Sequence, residues 1–329
     1  MVLLKTFVFS KGIEKDINIV ISKNIIKNII KKHDNTYGSF IILDTKLRNI
    51  IKIKNDHTYI KGGEEAKSLD KYLYLCELIN NKKYNNIIAI GGGNVLDIVG
   101  YAFNTLNFEK NNLILIPSTL SSFVNLPLSG NFYANMNFTR NYLKVTGYPN
   151  YIYIDQNFLN YFNTQELKKQ FLIPYIIGLL YDKNHSKLSI KYSSSFENLD
   201  YDNFLERNIK YIIDFYNHEY TFPGEKISKL IFKESDLLKM DYLEFLAVSF
   251  LFLIYISYNK KEISKEKYEE IKNDILKLNI LKRDNLKKIS FQNTNSTLKE
   301  IFITENGYKE FILSNSDIKD NILDFKQII

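Results

Sequence analysis

Ile87-Ile88-Ala89-Ile90-Gly91-Gly92-Gly93-Asn94-Val95-Leu96-Asp97-Ile98-Val99-Gly100-Tyr101-Ala102-Phe103 carries the clearest fold signal in the chain. Its first four residues are apolar and three of them are β-branched, the composition of a strand buried on both faces. Three glycines follow, and the chain then resumes with helical spacing. A buried strand that ends in glycines and opens a helix makes a phosphate cradle. The glycines admit close backbone approach, and the helix start offers N–H groups and the positive dipole end to an anion. The stretch therefore predicts an α/β domain that holds a nucleotide. A tight strand-to-helix turn that binds nothing would use the same residues.

Outward from this stretch, short apolar runs alternate with helical patterns. Ile17–Ser22, Phe40–Leu43, Leu113–Ile116 and Tyr151–Ile154 read as strands. Helices are expected at 24–32, 65–80 and 95–103. Strands separated by helices of this kind predict a mostly parallel sheet covered on both faces. Beyond Thr164 the pattern turns helical, at 164–180, 203–216, 238–258 and 264–278, with Ser264 as an N-cap. A small hairpin is expected at 300–313 around Asn306-Gly307. The reading is an α/β nucleotide-binding domain over residues 1–160 and a mostly helical domain over 161–329.

Bulk properties narrow the function classes. The net charge of +7 is carried mostly by lysines scattered along the whole chain, whereas a nucleic-acid footprint should cluster, so no nucleic-acid partner is expected. The single cysteine, Cys76, precludes an internal disulfide and suits a reducing, cytoplasmic setting. Met1-Val2-Leu3-Leu4-Lys5 is too short an apolar stretch for a signal peptide. The longest apolar run, Phe245–Ile256, is shorter than the roughly 18–20 residues that span a bilayer and reads as a core helix, so no membrane role is expected.

Four motifs in order resemble the 3-dehydroquinate synthase family of sugar-phosphate cyclases. They are Gly63-Glu64-Glu65-Ala66-Lys67, the glycine loop Gly91–Asp97 with Gly100 behind it, Ile116-Pro117-Ser118-Thr119-Leu120, and an ungapped stretch from 124 to 159 through Asn135, Arg140-Asn141, Pro149 and Ile154-Asp155. The resemblance implies the two-domain fold of that family, a tightly held NAD, a divalent metal, commonly a dimer, and the phosphate-eliminating ring closure of the shikimate pathway, a phosphorus–oxygen lyase reaction. Carried over residue by residue, it implies Asp44, Glu64, Lys67, Gly92, Gly93, Asp97, Ser118 and Thr119 around the cofactor, with Arg140 and Asn141 toward a phosphate or carboxylate. Asp44, at a strand end, suits the ribose hydroxyls of NAD, although a surface-turn aspartate would look the same. For Glu64 and Lys67 the alternative is a solvated first helical turn, and for Arg140 an exposed loop charge.

The chain departs from the family where the metal and the substrate would sit. The metal-ligating glutamate position falls on Ile173 and the lysine one turn later on Ile176. The two-histidine segment falls near Lys229–Asp236, which holds no histidine, and the later His-Gly-Glu becomes Tyr242-Leu243-Glu244. The substrate loop reads Asn125-Leu126-Pro127-Leu128-Ser129-Gly130-Asn131, and the C-terminal Asp-Lys-Lys reads Phe291-Gln292-Asn293. The four histidines, His33, His57, His185 and His218, form no pair at ligand spacing. His185 is read in a solvated turn at 182–187, and His218 at a helix end. The expected function is a non-catalytic, NAD-binding homologue that has lost its metal and keeps no catalytic residue. The alternatives are an active synthase with relocated ligands and an NAD-dependent dehydrogenase of phosphorylated polyols.

Overall fold

The computed structural model describes residues 5–9, 16–34, 38–80, 84–106, 111–125, 128–195, 201–218, 220–292 and 297–328. Two units emerge, Met1–Asn163 and Thr164–Ile329. In the first, the chain runs β1 (Lys5–Phe9), β2 (Ile17–Ser22), α1 (Ile26–Asp34), β3 (Ser39–Asp44), β4 (His57–Ile60), α2 (Leu69–Asn80), β5 (Asn86–Gly91) and α3 (Gly93–Thr105). It continues through β6 (Asn112–Pro117), α4 (Leu120–Val124), β7 (Asn131–Met136), β8 (Thr139–Thr146) and β9 (Tyr151–Asp155).

The main sheet has the order β1-β2-β9-β6-β5-β3-β4. Six of its strands are parallel, and β1 lies antiparallel at the edge. Every residue of β3 and β5 is buried, as a sheet covered on both faces requires. From β3 the chain moves outward to β4, and from β5 it moves the other way to β6, so the strand order reverses between β3 and β5. The carboxyl ends of strands at such a reversal are where open α/β sheets bind ligands. Asp44 ends β3 and Gly91 ends β5. The expected α/β domain with a mostly parallel sheet is therefore observed.

β1, β4 and α4 escaped the pattern, as did a 3-10 turn and a hairpin. Residues 64–67 form a separate 3-10 turn before α2, because the backbone at Ser68 is extended. The hairpin β7–β8 turns at Asn137 and Phe138, both left-handed at φ 51 and 59°. Phenylalanine is an unusual occupant of a turn that glycine or asparagine normally fills.

The second unit is mostly helical: α5 (Thr164–Gln170), α6 (Leu172–Tyr181), α7 (Lys183–Ser194), α8 (Tyr201–Asn217), α9 (Glu225–Ile231), α10 (Glu234–Leu237), α11 (Tyr242–Asn259), α12 (Lys265–Lys277) and α13 (Arg283–Lys287). A hairpin of β10 (Leu298–Thr304) and β11 (Gly307–Leu313) follows, then α14 (Asn315–Ile328). The helix expected over 164–180 breaks at Phe171. Pro174 lacks an N–H and clashes with the carbonyl four residues back, so it fits only in the first turn of a new helix. The helix expected over 238–258 starts later, at Asp241, whose Oδ1 accepts the Leu243 N–H at 2.9 Å. Ser264 caps α12 as expected.

The largest correction concerns His185. Residues 183–194 are helical rather than a turn, and His185 is fully buried, its Nε2 3.2 Å from Asn208 Oδ1 and its ring stacked on Phe204. Burial lowers its pKa, so the ring is a neutral core histidine. Asp182 as N-cap and the buried serine stripe Ser186, Ser189 and Ser193 were the available signals. Small residues let α6 and α7 approach closely: a Cβ on Gly178 would lie 2.3 Å from the backbone nitrogen of Ser186. His218, by contrast, lies exposed beyond α8, with Nδ1 2.8 Å from the Asp214 carbonyl. α11 extends beyond the apolar run to 18 residues, long and apolar enough to cross a bilayer, but 83% of it is buried inside the protein.

Candidate functional site

The segments after β3, β4, β5 and β6 at the carboxyl edge of the sheet, together with the start of β8, bring the candidate residues into two groups. The first is the cradle. Gly92 is the N-cap of α3 and Gly93 its first residue, with no side chain capping the helix. By helix geometry, the leading N–H groups of α3 have no carbonyl of their own helix to bond. A Cβ on Gly91 would press on Val95 at 2.9 Å, so glycine is needed there for packing. A Cβ on Gly92 would meet only the Thr119 methyl at 3.4 Å, so glycine there keeps space open rather than avoiding a clash. Ser118 is buried and its N–H bonds the Gly91 carbonyl at 2.9 Å. Thr119 caps α4 in a reciprocal capping box with Ser122.

Asp44 completes this edge. It is buried rather than a surface-turn residue, and its Oδ1 accepts the Lys46 N–H at 3.0 Å. A Cβ on Gly62 would lie 2.4 Å from Asp44 Oδ2, so a larger residue in the loop after β4 would displace the carboxylate. Gly62 is a supporting residue that sequence reasoning passed over, although it directly precedes the Gly63-Glu64 motif.

The second group is a buried polar network. Lys67 Nζ pairs with Asp97 Oδ2 at 2.7 Å, with both side chains almost wholly buried, and also donates to Asn141 Oδ1. The ammonium lies 5.5 Å from the centre of the Tyr133 ring. Arg140 Nη2 pairs with Glu64 Oε1 at 2.8 Å. Asn135 joins the two pairs: its Nδ2 donates to Glu64 Oε2 at 3.1 Å and its Oδ1 accepts the Asn141 N–H at 2.8 Å. Asn135 was visible only as part of the ungapped stretch. It is aimed inward by an irregularity between Ala134 and Met136 in the β7–β8 register, and Asn141 by a left-handed backbone at φ 52°.

Five candidate residues, Glu64, Lys67, Asp97, Arg140 and Asn141, thus meet in one place. Glu64 and Lys67 are not a solvated turn, and Arg140 is not an exposed loop charge. The electrostatics are unusual at Asp97. Burial raises its pKa above the ordinary carboxylate value, outweighing the Lys67 ammonium, while its Oδ1 has no hydrogen-bond partner. A buried acceptor without a partner is a place where a ligand donor gains most.

In the second unit the position expected for the metal-ligating glutamate and that of the lysine one turn later are apolar in their surroundings as well as in type. Ile173 and Ile176 of α6 are both fully buried. Glu244 is buried and bound by Lys282 Nζ at 2.5 Å, Lys169 Nζ at 3.5 Å and Asn285 Nδ2 at 2.9 Å. Burial alone would raise its pKa, but these donors and charges more than offset that, and the carboxyl falls below its usual range. Tyr242 donates its hydroxyl to Glu225 at 2.5 Å. Among the described residues no three His, Cys, Asp or Glu side chains gather to hold a metal. In the altered substrate loop, Asn131 is held to Ser129, while Leu126 and Pro127 lie outside the described residues, as does Asn293.

Residues 57–169 match the family model described as 3-dehydroquinate synthase N-terminal. The 3-dehydroquinate synthase of Sulfolobus acidocaldarius is 30% identical over 187 residues, 53% of this chain and 51% of that protein. That of Clostridium tetani is 34% identical over 143 residues, 39% of this chain and 38% of that protein. The similarity thus spans at most about half the length of these curated relatives. Among solved structures, 2-deoxy-scyllo-inosose synthase with carbaglucose-6-phosphate, NAD+ and Co2+ superposes with a TM-score of 0.78 at 15% identity, covering 97% of this chain and 100% of that one. The 2-epi-5-epi-valiolone synthase of Streptomyces hygroscopicus with NAD+ and Zn2+ gives 0.76 at 13% identity, covering 97% and 99%. At these identities the structural likeness speaks for the fold alone. Residues 57–169 are thus similar to the N-terminal part of 3-dehydroquinate synthases, and the chain shares the fold of the sugar-phosphate cyclases named above.

Proposed function

We propose that this chain is a non-catalytic homologue of 3-dehydroquinate synthase that holds NAD in its N-terminal unit and has given up the divalent metal. The observation that carries the reading is the burial in the helical core of Ile173, at the metal-ligand position, and of Ile176, at the lysine position one turn later. Isoleucine offers no lone pair to a cation, and a packed apolar site gives a metal no room and no dielectric shielding. Without a Lewis acid to grip the substrate hydroxyls, and with Asn131 where a lysine would hold phosphate, the transition state loses its main electrostatic support.

The cofactor fits what remains. Gly92, Gly93 and the first turn of α3 would take the diphosphate, and Asp44 a ribose, at the strand-order reversal. Ser118 and Thr119 border the same edge, and Asp97 offers an unbonded Oδ1. NAD, when bound, supplies hydride chemistry, and nothing in this reading draws on it for turnover. The cations that could have met a substrate phosphate are already engaged: Lys67 with Asp97 and Asn141, Arg140 with Glu64.

The test is phosphate release from the seven-carbon sugar-acid phosphate of the synthase reaction, with NAD+ and added zinc or cobalt. A folded protein that binds NAD+ and releases no phosphate is the expected outcome. Chelator-sensitive turnover would overturn the proposal and mean that the metal ligands have moved elsewhere in the chain.

A further inference from the structure

Glu300 stands where the hairpin β10–β11 should present an apolar side chain. Ile301, Phe302 and Ile303 beside it are buried, and Glu300 shares its strand face with the fully buried Phe302. β10 packs on α9 and α11, and β11 on α6. The Glu300 Oε1 accepts the backbone N–H of Ile227, in the first turn of α9, at 2.8 Å. Its Oε2 is buried without a hydrogen-bond partner.

The charged groups around it do not neutralise it. From α9, Glu225 adds a like charge, and the Lys226 ammonium is spent on the Lys299 carbonyl at 3.1 Å. From α11, the Tyr242 hydroxyl is spent on Glu225. On β11, Phe311 lies directly opposite, and its neighbour Glu310 pairs with Lys299. Among the described residues no lysine or arginine nitrogen forms an ion pair with Glu300.

We propose that Glu300 is a proton-operated latch: the neutral carboxyl seats the β10–β11 hairpin on α9 and α11, and ionisation loosens it. An ionised carboxylate with one oxygen unbonded in an apolar contact is far costlier than a neutral acid in the same place. Burial, reinforced by Glu225 and only partly countered by the Ile227 and Ile301 N–H groups and Lys226, carries the carboxyl from 4.5 up to about 7. The folded pKa lies above the unfolded one, so this contribution is fully present below 4.5 and is lost as pH rises through about 7. Mild acid is the closed condition.

The test is hydrogen exchange of the full chain between pH 5 and 8, corrected for intrinsic rates, on peptides spanning α9 and the hairpin. The equilibrium for hairpin opening should rise about 40-fold from pH 5 to 7 and level off by pH 8. Glu300→Gln, which keeps an acceptor for Ile227 and carries no charge, should stay protected and flat across the range. A flat wild-type profile would overturn the proposal, as would a slope that survives in Glu300→Gln. Should that variant fail to fold, the carboxyl carbon titration of Glu300 in the wild type decides, and a midpoint below pH 5 sinks the latch.

Discussion

Arg140 and Lys67 keep the positions that the resemblance assigns to them, yet each is enclosed with a partner carboxylate. Charge at the right place in the sequence does not ensure charge available to a ligand. A buried pair contributes little net stability, because desolvation cancels most of the attraction, but breaking one strands a bare charge in the interior. Arg140→Met or Glu64→Gln alone should therefore cost about 3–5 kcal/mol in urea unfolding. The double variant should recover much of that loss, giving a strong coupling in the mutant cycle. Additive losses would mean that Arg140 is held by something other than Glu64, and would return it to the list of groups free to meet an anion. The pairing itself could not be read from sequence, since Glu64 and Arg140 lie on separate elements and meet only through the β7–β8 register.

At the scale of elements, the strand–glycine–helix unit was legible because three independent preferences agree there. β-branched residues favour the strand, glycines permit the close turn, and apolar spacing favours the helix. The structure places β5 and α3 where those preferences put them. Gly92 gives a test of what the unit is for. Its backbone, at φ −75°, suits any residue, and an added Cβ meets only Thr119. Gly92→Val should leave unfolding midpoints nearly unchanged and lower NAD+ affinity at least about tenfold by calorimetric titration, by filling the place of the diphosphate. Unchanged affinity would remove the glycine loop from the cofactor site. Elements whose signals conflicted were the ones misread. The α5–α6 break depends on one proline, and α7 carries a polar sequence whose inward face is serine and histidine rather than leucine.

For the whole molecule, the proposal confines the cofactor to residues before Asn163. Saturating NAD+ at about 100 times Kd should stabilise the binding unit by about 2.7 kcal/mol. Hydrogen exchange should show new protection near 44, 62–67, 91–97 and 118–119, with α11 and α12 unaltered. Protection appearing first in the helical unit would contradict the assignment. Local sequence alone carried the parallel α/β architecture, the helical second half and the resemblance to 3-dehydroquinate synthases. These rest on local periodicity, on glycine's freedom and on residue chemistry, which travel with the chain. The pairing of the candidate cations, the burial of Asp44 and His185, the place of Asn135 in the network and the apolar contact around Glu300 come from packing alone. Each depends on which distant residue becomes a neighbour and on how much water is excluded. Those properties arise from packing between elements and have no signature in any single stretch of sequence.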